Sequence, residues 1–599
     1  MRDKKPHLLT KLKSTKMPSQ MVFFDTESEE VKLNGKEVQH VLKLGWACYY
    51  RRRPDKKEDY EEWKYFEAGS LFWSWVESQL RPKAPLYLMS HNITFDFTVT
   101  SGFKYLIQNK WKITGFYNEY SATIIKFKKG PYSLIVLDSM NFFKCSLKRL
   151  GEQIGLAKTE VDFRTATKDQ LSSYCKNDVL VLKTAFLDYI GYLKKNNLGR
   201  FGYTTPAQAM NAYRARFMTG YIQIHNYKKV IKLERRAYFG GRTECFRLGV
   251  LPASPIYCVD VNSMYPYQMK TQKFPTRADR WLIAPDEKTI TKYLNDHLLI
   301  AYCMLKTDQP VFPYRADNKT LFPIGRFRAA LTTPELKHAF EHHLIEKIYY
   351  ATVYRSDNIF SQFVDFFHAQ KTAAKKAGRG PDELFSKLMM NSLYGKFGQL
   401  ATSWEQIGEC DIEEVRVEDV KDGRTGKWHH WYFFGGNVWE VRKEGEAYHS
   451  FVAVCAHVTA YARMYLWELI QIAGKANVFY CDTDSLFVNE AGIERLSSKI
   501  NPDKLGSLSI QKTAASVVLH GLKDYRFGDE VKLKGIRKNA VKISENVYQQ
   551  ERWSSFKGMM NRGSLDEFVV LTVTKNLSRK YNKGSVDEYG LICPVELIL

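Results

Sequence analysis

"QMVFFDTES" (20–28) is an apolar run that ends on two acids at alternate positions, and "VLKLGWACYY" (41–50) is a second apolar run soon after it. The two read as a strand and its hairpin partner or neighbour. "APLYLMSHNITFDF" (84–97) is another strand running into a polar end, and "YSLIVLDSM" (132–140) is a third. "TKDQLSSYCKNDVLVLKTAFLDYIGYL" (167–193) has helical periodicity instead. Strands alternating with helices over roughly the first 200 residues predict an α/β unit.

Further along, "AYFGGRTECF" (237–246) places a glycine pair in a connecting segment, and "IYCVDVNSMYPYQM" (256–269) reads as strand, turn and helix start. Short strands and helices mix between about 275 and 355 and read as an insertion. In "NIFSQFVDFFHAQKTAAKKAGRGPDELFSKLMMNSLYGKFG" (358–398), Phe360, Phe363, Val364 and Phe367 follow the spacing of one amphipathic helix. "GRGP" (378–381) breaks it, and Pro381, at a first helical position and followed by Asp382 and Glu383, opens a second helix. This predicts a helical hairpin. Residues 399–450, with "KDGRTGK" and several aromatics, read as a β-rich insertion; a helix over 452–473 and a hairpin over "VFYCDTDSLFV" (478–488) follow. The last 75 residues or so mix strands and short helices with many lysines.

A chain of 599 residues is too long for one core, so several domains are expected. Lysine and arginine number 89 against 65 acids, a net charge of +24 that favours a polyanionic partner over mere solubility. The ten cysteines include no CxxC pair, which argues against a zinc site or a disulfide framework. No apolar stretch is long enough to span a membrane. The start, "MRDKKPHLLTKLKSTKMPSQ", is basic without the apolar centre of a secretory signal and is expected to be a mobile arm. A cytoplasmic monomer is the default reading.

The acids carry the candidate chemistry. Asp482 and Asp484, two apart on a hairpin turn, project to one side. Like charges so close need a cation or protons, and Mg²⁺ suits carboxylate and phosphate oxygens together. Asp260 ends the strand "IYCVD"; if the two strands are neighbours, three carboxylates converge on one metal site, as two-metal phosphoryl transfer requires. Lys387, Asn391 and Tyr394, spaced i, i+4, i+7, share a helix face suited to a nucleotide, with Lys371 as a second cation; a solvated lysine face is the alternative. Asp25, Glu27, Asp96 and Asp178, with Tyr174 one turn before Asp178, make a second constellation, the set a two-metal nuclease needs.

Together these motifs resemble the family B DNA polymerases, of the protein-primed type used by small bacteriophages and linear plasmids, from about residue 20 to the end. The resemblance implies a ribonuclease-H-like 3′–5′ exonuclease followed by a right-hand polymerase of palm, fingers and thumb, an α/β and α+β multidomain chain. "FDTES", "HNITFDF" and "YCKND" resemble the three exonuclease motifs, which implies Asp25, Glu27, Asp96 and Asp178 as metal ligands and Tyr174 as a catalytic residue. Ser28, Asn92 and Phe95 would hold the single-stranded primer end. "LAKTEV" resembles the auxiliary lysine motif through Lys158. Ser139 of "LDSM" stands where a single-strand ligand belongs, with Met140 in place of the family's leucine. "YFGGR" is similar to the linker motif that contacts template, implying Tyr238, Gly240 and Gly241.

"DVNSMYP", "KLMMNSLYGK" and "YCDTDS" resemble the three polymerase motifs. Asp260 and Asp484 would be metal ligands with Asp482 in support. Ser263, Lys387, Asn391, Tyr394 and Lys371 would bind nucleotide, and Tyr265 would form the gate against a ribose 2′-OH. "TAYAR" and "KDY" resemble template-binding and primer-terminus motifs, implying Thr459, Arg463, Lys523 and Tyr525 as DNA ligands.

The expected division is an arm at 1–20, an exonuclease unit at 21–200, a linker at 201–250, palm and fingers at 251–528, and a thumb with C-terminal region at 529–599. Within palm and fingers lie insertions near 275–355 and 399–450, the fingers hairpin at 358–398 and a palm return at 451–528. The resemblance implies Mg²⁺ or Mn²⁺ in two-metal sites, primer-template and single-stranded DNA, dNTPs and a terminal protein primer as partners. The alternatives are a primer-independent polymerase of the same family, an exonuclease with an inactive polymerase half, and a non-catalytic DNA-binding scaffold.

Overall fold

The computed structural model describes residues 4–53, 58–119, 122–442 and 445–598. Met21, Val22, Phe23 and Phe24 are all buried, so the first half of the strand Gln20–Asn34 is covered on both faces and lies inside its sheet, while residues 29–34 are exposed. It pairs antiparallel with Glu37–Arg51, the expected hairpin, and parallel with Leu86–Ser90. Leu86–Ser90 runs parallel to Tyr132–Asp138, and Ala122–Lys129 and Lys112–Glu119 complete that side. The helix Lys168–Lys195 packs on this sheet; a reciprocal Thr167–Gln170 capping box opens it, and Lys194 and Lys195 sit in its last turn, where cations favour the carbonyl end. One expectation changes: "HNITFDF" is not a strand end. Asn92 turns the chain with a left-handed backbone, so Phe95 and Asp96 lie on the short helix Ile93–Val99.

The N-terminal arm is docked rather than mobile over its described residues. His7–Leu9 pairs antiparallel with Ile222–Ile224, and the buried Leu9 side chain anchors it. The C-terminal region is also tied down. Phe568–Asn576 pairs with the Glu37–His40 end of the first sheet, Val547–Arg552 and Val541–Ser544 extend that edge, and Glu596–Ile598 runs parallel to Ile324–Arg326. Residues between 541 and 598 therefore brace two separate sheets.

Between these ends lies an antiparallel five-stranded sheet in the order Thr243–Cys245, Val478–Asp482, Ser485–Val488, Ile256–Val261, Leu508–Ala514. The largely buried helix Val452–Ala473 and the helix Met264–Thr271 pack together beside it. Residues 274–357 form a second antiparallel sheet with two helices, Glu287–Asp296 and Thr333–Glu341. The helical hairpin is present as Ser361–Lys376 and Gly380–Ser392; its second helix starts one residue before Pro381. Ser403–Glu409, Arg416–Lys421, Trp428–Phe434 and Asn437–Arg442 make the β-rich insertion as a four-stranded sheet. Its Trp404 and Phe434 pack edge-on against Phe116 of the first unit, with ring centroids 4.6 and 5.2 Å apart. None of the ten cysteines is paired, and no described helix is long and apolar enough to cross a membrane.

Candidate active sites

Strands 256–261 and 485–488 are neighbours. Asp260 lies opposite Ser485, and the Val261 N–H donates to the Asp484 carbonyl at 2.8 Å. Thr483, at the turn between the two acids, has a left-handed backbone (φ 66°) and donates its N–H to the Arg242 carbonyl at 2.7 Å. Gly241 must lack a side chain here, because a Cβ would stand 2.8 Å from Thr483 Cγ2 and 2.9 Å from the Tyr265 hydroxyl. The "YFGGR" loop is thus a wall of this site. Asp260 is pushed up to about 7 by burial and then by the Asp484 charge, against the opposing pull of Lys387. Asp484 is pushed up to about 6 by burial and the Asp482 charge. Two carboxyls so disfavoured as anions form a place prepared for positive charge.

Asp482 does not complete a trio. Its carboxylate accepts from Lys523 Nζ at 2.7 and 3.0 Å, and from Thr243 and Tyr480 hydroxyls at 3.3 Å. The expected convergence of three acids becomes two acids and an ion pair beside them.

Lys387 and Asn391 sit exposed on the second hairpin helix. Tyr394 lies past the end of that helix, in the 3₁₀ turn Tyr394–Gly398, so the three do not share one helix face as expected. Its ring lies 4.9 Å from that of Tyr265, and the pair forms one aromatic surface. Lys371 is close enough to Lys387 that burial and then the Lys387 charge lower its pKa. Ser263 is the left-handed residue that starts the Tyr265 helix (φ 53°).

The second constellation assembles on the first sheet. Asp25 is pushed well above the carboxylate range by burial and by the charges of Asp96, Asp178 and Glu27. Glu27 rises to about 8, through burial and Asp178, and Asp96 to about 7, through burial. Asp96 is held by the Thr26 N–H and hydroxyl at 3.0 and 2.6 Å. Burial raises Asp178 against the pull of Lys158, whose Nζ lies 2.6 Å from Asp178 Oδ2 and 4.5 Å from the Tyr174 ring centroid. Asp178 Oδ1 is buried with no hydrogen-bond partner. Asp25, Glu27 and Cys175 are the one group of three or more candidate donors lying within 4.8 Å of one another among the described residues. A set of hard carboxylate oxygens with an orphaned buried oxygen fits a divalent cation of the Mg²⁺ or Mn²⁺ kind.

Beside these acids, Ser28 Oγ bonds His40 Nδ1 at 2.9 Å, and Phe95 packs among His40, Phe568 and the partly exposed Trp553. His40, Trp553 and Phe568 were not expected at the site. His40 comes through the hairpin with residues 20–34, and Trp553 and Phe568 join it because the C-terminal strand folds back onto residues 37–40. Asn92 donates its N–H to Asp138, another buried carboxyl, raised to about 6.

Four expected DNA ligands are placed otherwise. Thr459 is 2% exposed and its hydroxyl donates to carbonyls of its own helix. Arg463 is 3% exposed; it donates to the Phe239 and Gly240 carbonyls at 3.1 and 2.9 Å and to Glu335 Oε1 at 2.7 Å. Arg463 thus supports the glycine loop from behind. Ser139 is fully buried and hydrogen-bonded to His91 Nδ1 at 2.8 Å, and the buried Tyr525 ring packs on Tyr480 and Phe487 under the Lys523 turn. Of the glycine loop, Tyr238 is partly buried, while Gly240 is exposed. Removing one partner of a buried ion pair costs about 3–5 kcal/mol, so Glu335→Gln should destabilise this core by about that amount. Faster hydrogen exchange in residues 238–242 and 459–466 is the expected readout.

The comparisons with known proteins match this arrangement. Residues 156–412 match the family described as DNA polymerase type B, organellar and viral. A DNA-directed DNA polymerase of Enterobacteria phage PRD1 is 26% identical over 391 residues, 62% of each chain, and a probable DNA polymerase of Neurospora intermedia is 23% identical over 375 residues, 57% of this chain and 36% of the other. The DNA polymerase of Bacillus phage phi29 is 23% identical over 503 residues, 76% of this chain and 79% of that one. That family match covers less than half of the chain and these relatives are at most 26% identical, so what they show is a likeness to the type B DNA polymerases of the organellar and viral kind. It spans between about a third and two-thirds of the length of the first curated relatives it matches. A solved structure of phi29 DNA polymerase with primer-template DNA covers 93% of this chain and all of its own, with a TM-score of 0.67 at 17% identity. The multidomain α/β fold is therefore shared with that structure.

Proposed function

We propose that the protein is a DNA-dependent DNA polymerase with a 3′–5′ proofreading exonuclease, copying a viral or plasmid genome. The observation that carries this reading is the placing of Asp260, at a strand end, beside Asp484, on the turn before the neighbouring strand, with Lys387 and the Tyr265–Tyr394 surface close by. Residues 21–200 hold the exonuclease acids, 358–398 the fingers hairpin, and 251–528 the palm around it. The related phi29 structures contain primer-template DNA, single-stranded DNA or incoming nucleotides, and the same ligands are assigned to this chain.

Divalent ions, Mg²⁺ or Mn²⁺, held by Asp260 and Asp484 and by Asp25, Glu27, Asp96 and Asp178, would supply charge neutralisation at the reacting phosphates. The primer 3′-OH attacks the α-phosphate of a dNTP and pyrophosphate leaves. Lys387 and Lys371 hold the triphosphate, and the Tyr265–Tyr394 surface takes sugar and base. Lys523, paired with Asp482, steadies the turn that presents Asp484. In the second site Lys158 and Tyr174 fix Asp178, and Ser28, Asn92 and Phe95 receive a frayed primer end. Tyr265→Val should relax discrimination against ribonucleotides by roughly 10–200-fold, measured as competing incorporation of rNTP and dNTP. An unchanged ratio removes the gate from Tyr265.

Priming by a terminal protein and strand displacement are assigned to the two insertions. In support, the 403–442 sheet packs on Phe116 of the exonuclease unit, and Lys557 of the C-terminal region lies over its Trp404 and Tyr432 rings. The deciding experiment is extension of a primed single-stranded circle with Mg²⁺ and no accessory protein. Long products support the reading; degradation of the primer without any extension would replace it with an exonuclease whose polymerase half is inactive.

A further inference from the structure

The N-terminal strap has no role in either carboxylate site, and its charge poses a problem. It is held by backbone and apolar contacts. His7–Leu9 pairs with Ile222–Ile224, the Leu12 N–H donates to the Arg214 carbonyl, and the Lys16 and Ser19 carbonyls accept from the Phe201 and Arg52 N–H groups, all at 2.9–3.0 Å. His7 stacks on Tyr448 at 4.1 Å, and Arg214 Nε donates to the Thr10 carbonyl at 2.9 Å. Residues 4–19 contain five lysines and no acid, and residues 194–216, a large part of the surface they cover, contribute Lys194, Lys195, Arg200, Arg214 and Arg216, again with no acid. The acids Glu446 and Glu234 act on Lys4, at the other end of the strap from Lys11, Lys13 and Lys16. Lys5, Lys11, Lys13, Lys16 and Arg200 are exposed and make no ion pair with an acid among the described residues. His449, behind the strap, is pushed down to about 4 by burial and then by the charges of Arg214, His7, Lys396 and Arg200. A basic segment laid on a basic surface is repelled by it unless an anion lies over both.

Aromatic rings interrupt the cations. Tyr448 is 52% exposed beneath His7, Tyr221 is 80% exposed at the start of the strand that receives the strap, and Tyr227 is 55% exposed just after it. An open cavity of about 570 Å³ beside that strand is lined by Tyr227, Lys228, Lys229, Arg280 and Trp281 among others, with Asp279 as its acid. Cations alternating with exposed ring faces suit an unpaired nucleic-acid strand, whose phosphates and base faces are both available. A duplex keeps its bases stacked inside, and an acidic polypeptide would use the charges and leave the rings idle.

We propose that the docked strap and the 221–229 turn form a track for single-stranded DNA outside both carboxylate sites, with Lys5, Lys11, Lys13 and Lys16 on phosphates and Tyr448, Tyr221 and Tyr227 on bases. The proposal rests on the DNA reading above. It is tested by binding of oligothymidylates of about 10 and about 50 nucleotides to the full chain in a metal chelator, which prevents digestion, across a salt series. Lys11→Gln/Lys13→Gln/Lys16→Gln should weaken the long oligonucleotide about tenfold and lower its log–log salt slope by roughly 2, about 0.7 per phosphate contact, while the short one is unaffected. Tyr227→Ala should weaken the long one by about 5–100-fold with little change in slope. Equal affinity and slope for parent and triple variant would overturn the track, as they would if an acidic protein were the true occupant. Equal loss with both lengths would also overturn it, showing a diffuse charge effect. Extension of a short primer-template by the parent, run in parallel, separates failure of the track from failure of the polymerase reading. Unchanged thermal melting of the triple variant confirms that the fold is intact.

Discussion

Primer extension by the Asp484→Asn variant is expected to fall by at least about 10³-fold, with primer degradation unchanged, because a carboxylate that helps hold divalent charge at the reacting phosphate is worth several kcal/mol. Asparagine keeps the shape of the side chain and the 2.8 Å bond between the Asp484 carbonyl and Val261, so the hairpin should fold as before. It removes the anion that burial and the neighbouring Asp482 charge disfavour in the resting protein. The comparison that gives the result meaning is Asp482→Asn. Asp482 is occupied by Lys523 at 2.7 Å, so its loss should act through the turn and through a freed lysine, with a smaller fall in rate. If the two variants fall equally far, the division into an acid that faces substrate and an acid that positions it is wrong. If degradation falls with extension, the two sites are not separable. Single-turnover incorporation and digestion of a labelled primer measure both.

The sequence made the elements legible where hydrophobic pattern and chain chemistry agree. Met21–Phe24 reads as a strand because four consecutive large apolar residues need cover on both faces, and the structure covers them. The helix Val452–Ala473 and the two hairpin helices follow from the same local reasoning. What stayed hidden is non-local. Nothing near His40 or Trp553 announces that a strand more than five hundred residues away will bring them together around Phe95, because register between distant edges is set by the whole fold. The strap was misread for a related reason. Its lysines suggested mobility, whereas it is held by its backbone groups, which every sequence possesses. Motif residues carried a different ambiguity. Thr459, Arg463, Ser139 and Tyr525 stand where DNA ligands were expected, but spacing does not reveal which side of an element meets the core. Asp482 and Asp484 differ in the same way: adjacent in the motif, one turns to Lys523 and the other to Asp260.

The exonuclease acids should show catalysis and stability pulling in opposite directions. Asp25→Asn/Glu27→Gln is expected to lower primer degradation by at least about 10³-fold while extension continues, and also to raise the melting temperature of the metal-free protein at pH 8. The sign follows from the direction of the shifts. A carboxyl whose pKa is raised in the folded state binds its proton more tightly there than in the unfolded chain, so the folded protein is favoured at low pH. That advantage is lost as pH climbs from the ordinary carboxylate range through the raised value, about 8 for Glu27. At pH 8 the unfolded chain has released these protons, whereas the folded parent must either keep them on Asp25 and Glu27 or carry poorly solvated anions there and at Asp96, at a cost on the order of a few kcal/mol, which the neutral amides avoid. At pH 4 to 5 the parent's carboxyls keep their protons and the two proteins should melt together. Mg²⁺ or Mn²⁺ should reverse the order at pH 8, stabilising the parent and not the variant, because cation binding needs the anions that the parent alone supplies. Thermal melts at the two pH values, with and without the ion, test all of this in one series. A variant less stable than the parent at pH 8 without metal would show that these carboxylates hold the fold together, and would remove the electrostatic account of why the acids are there.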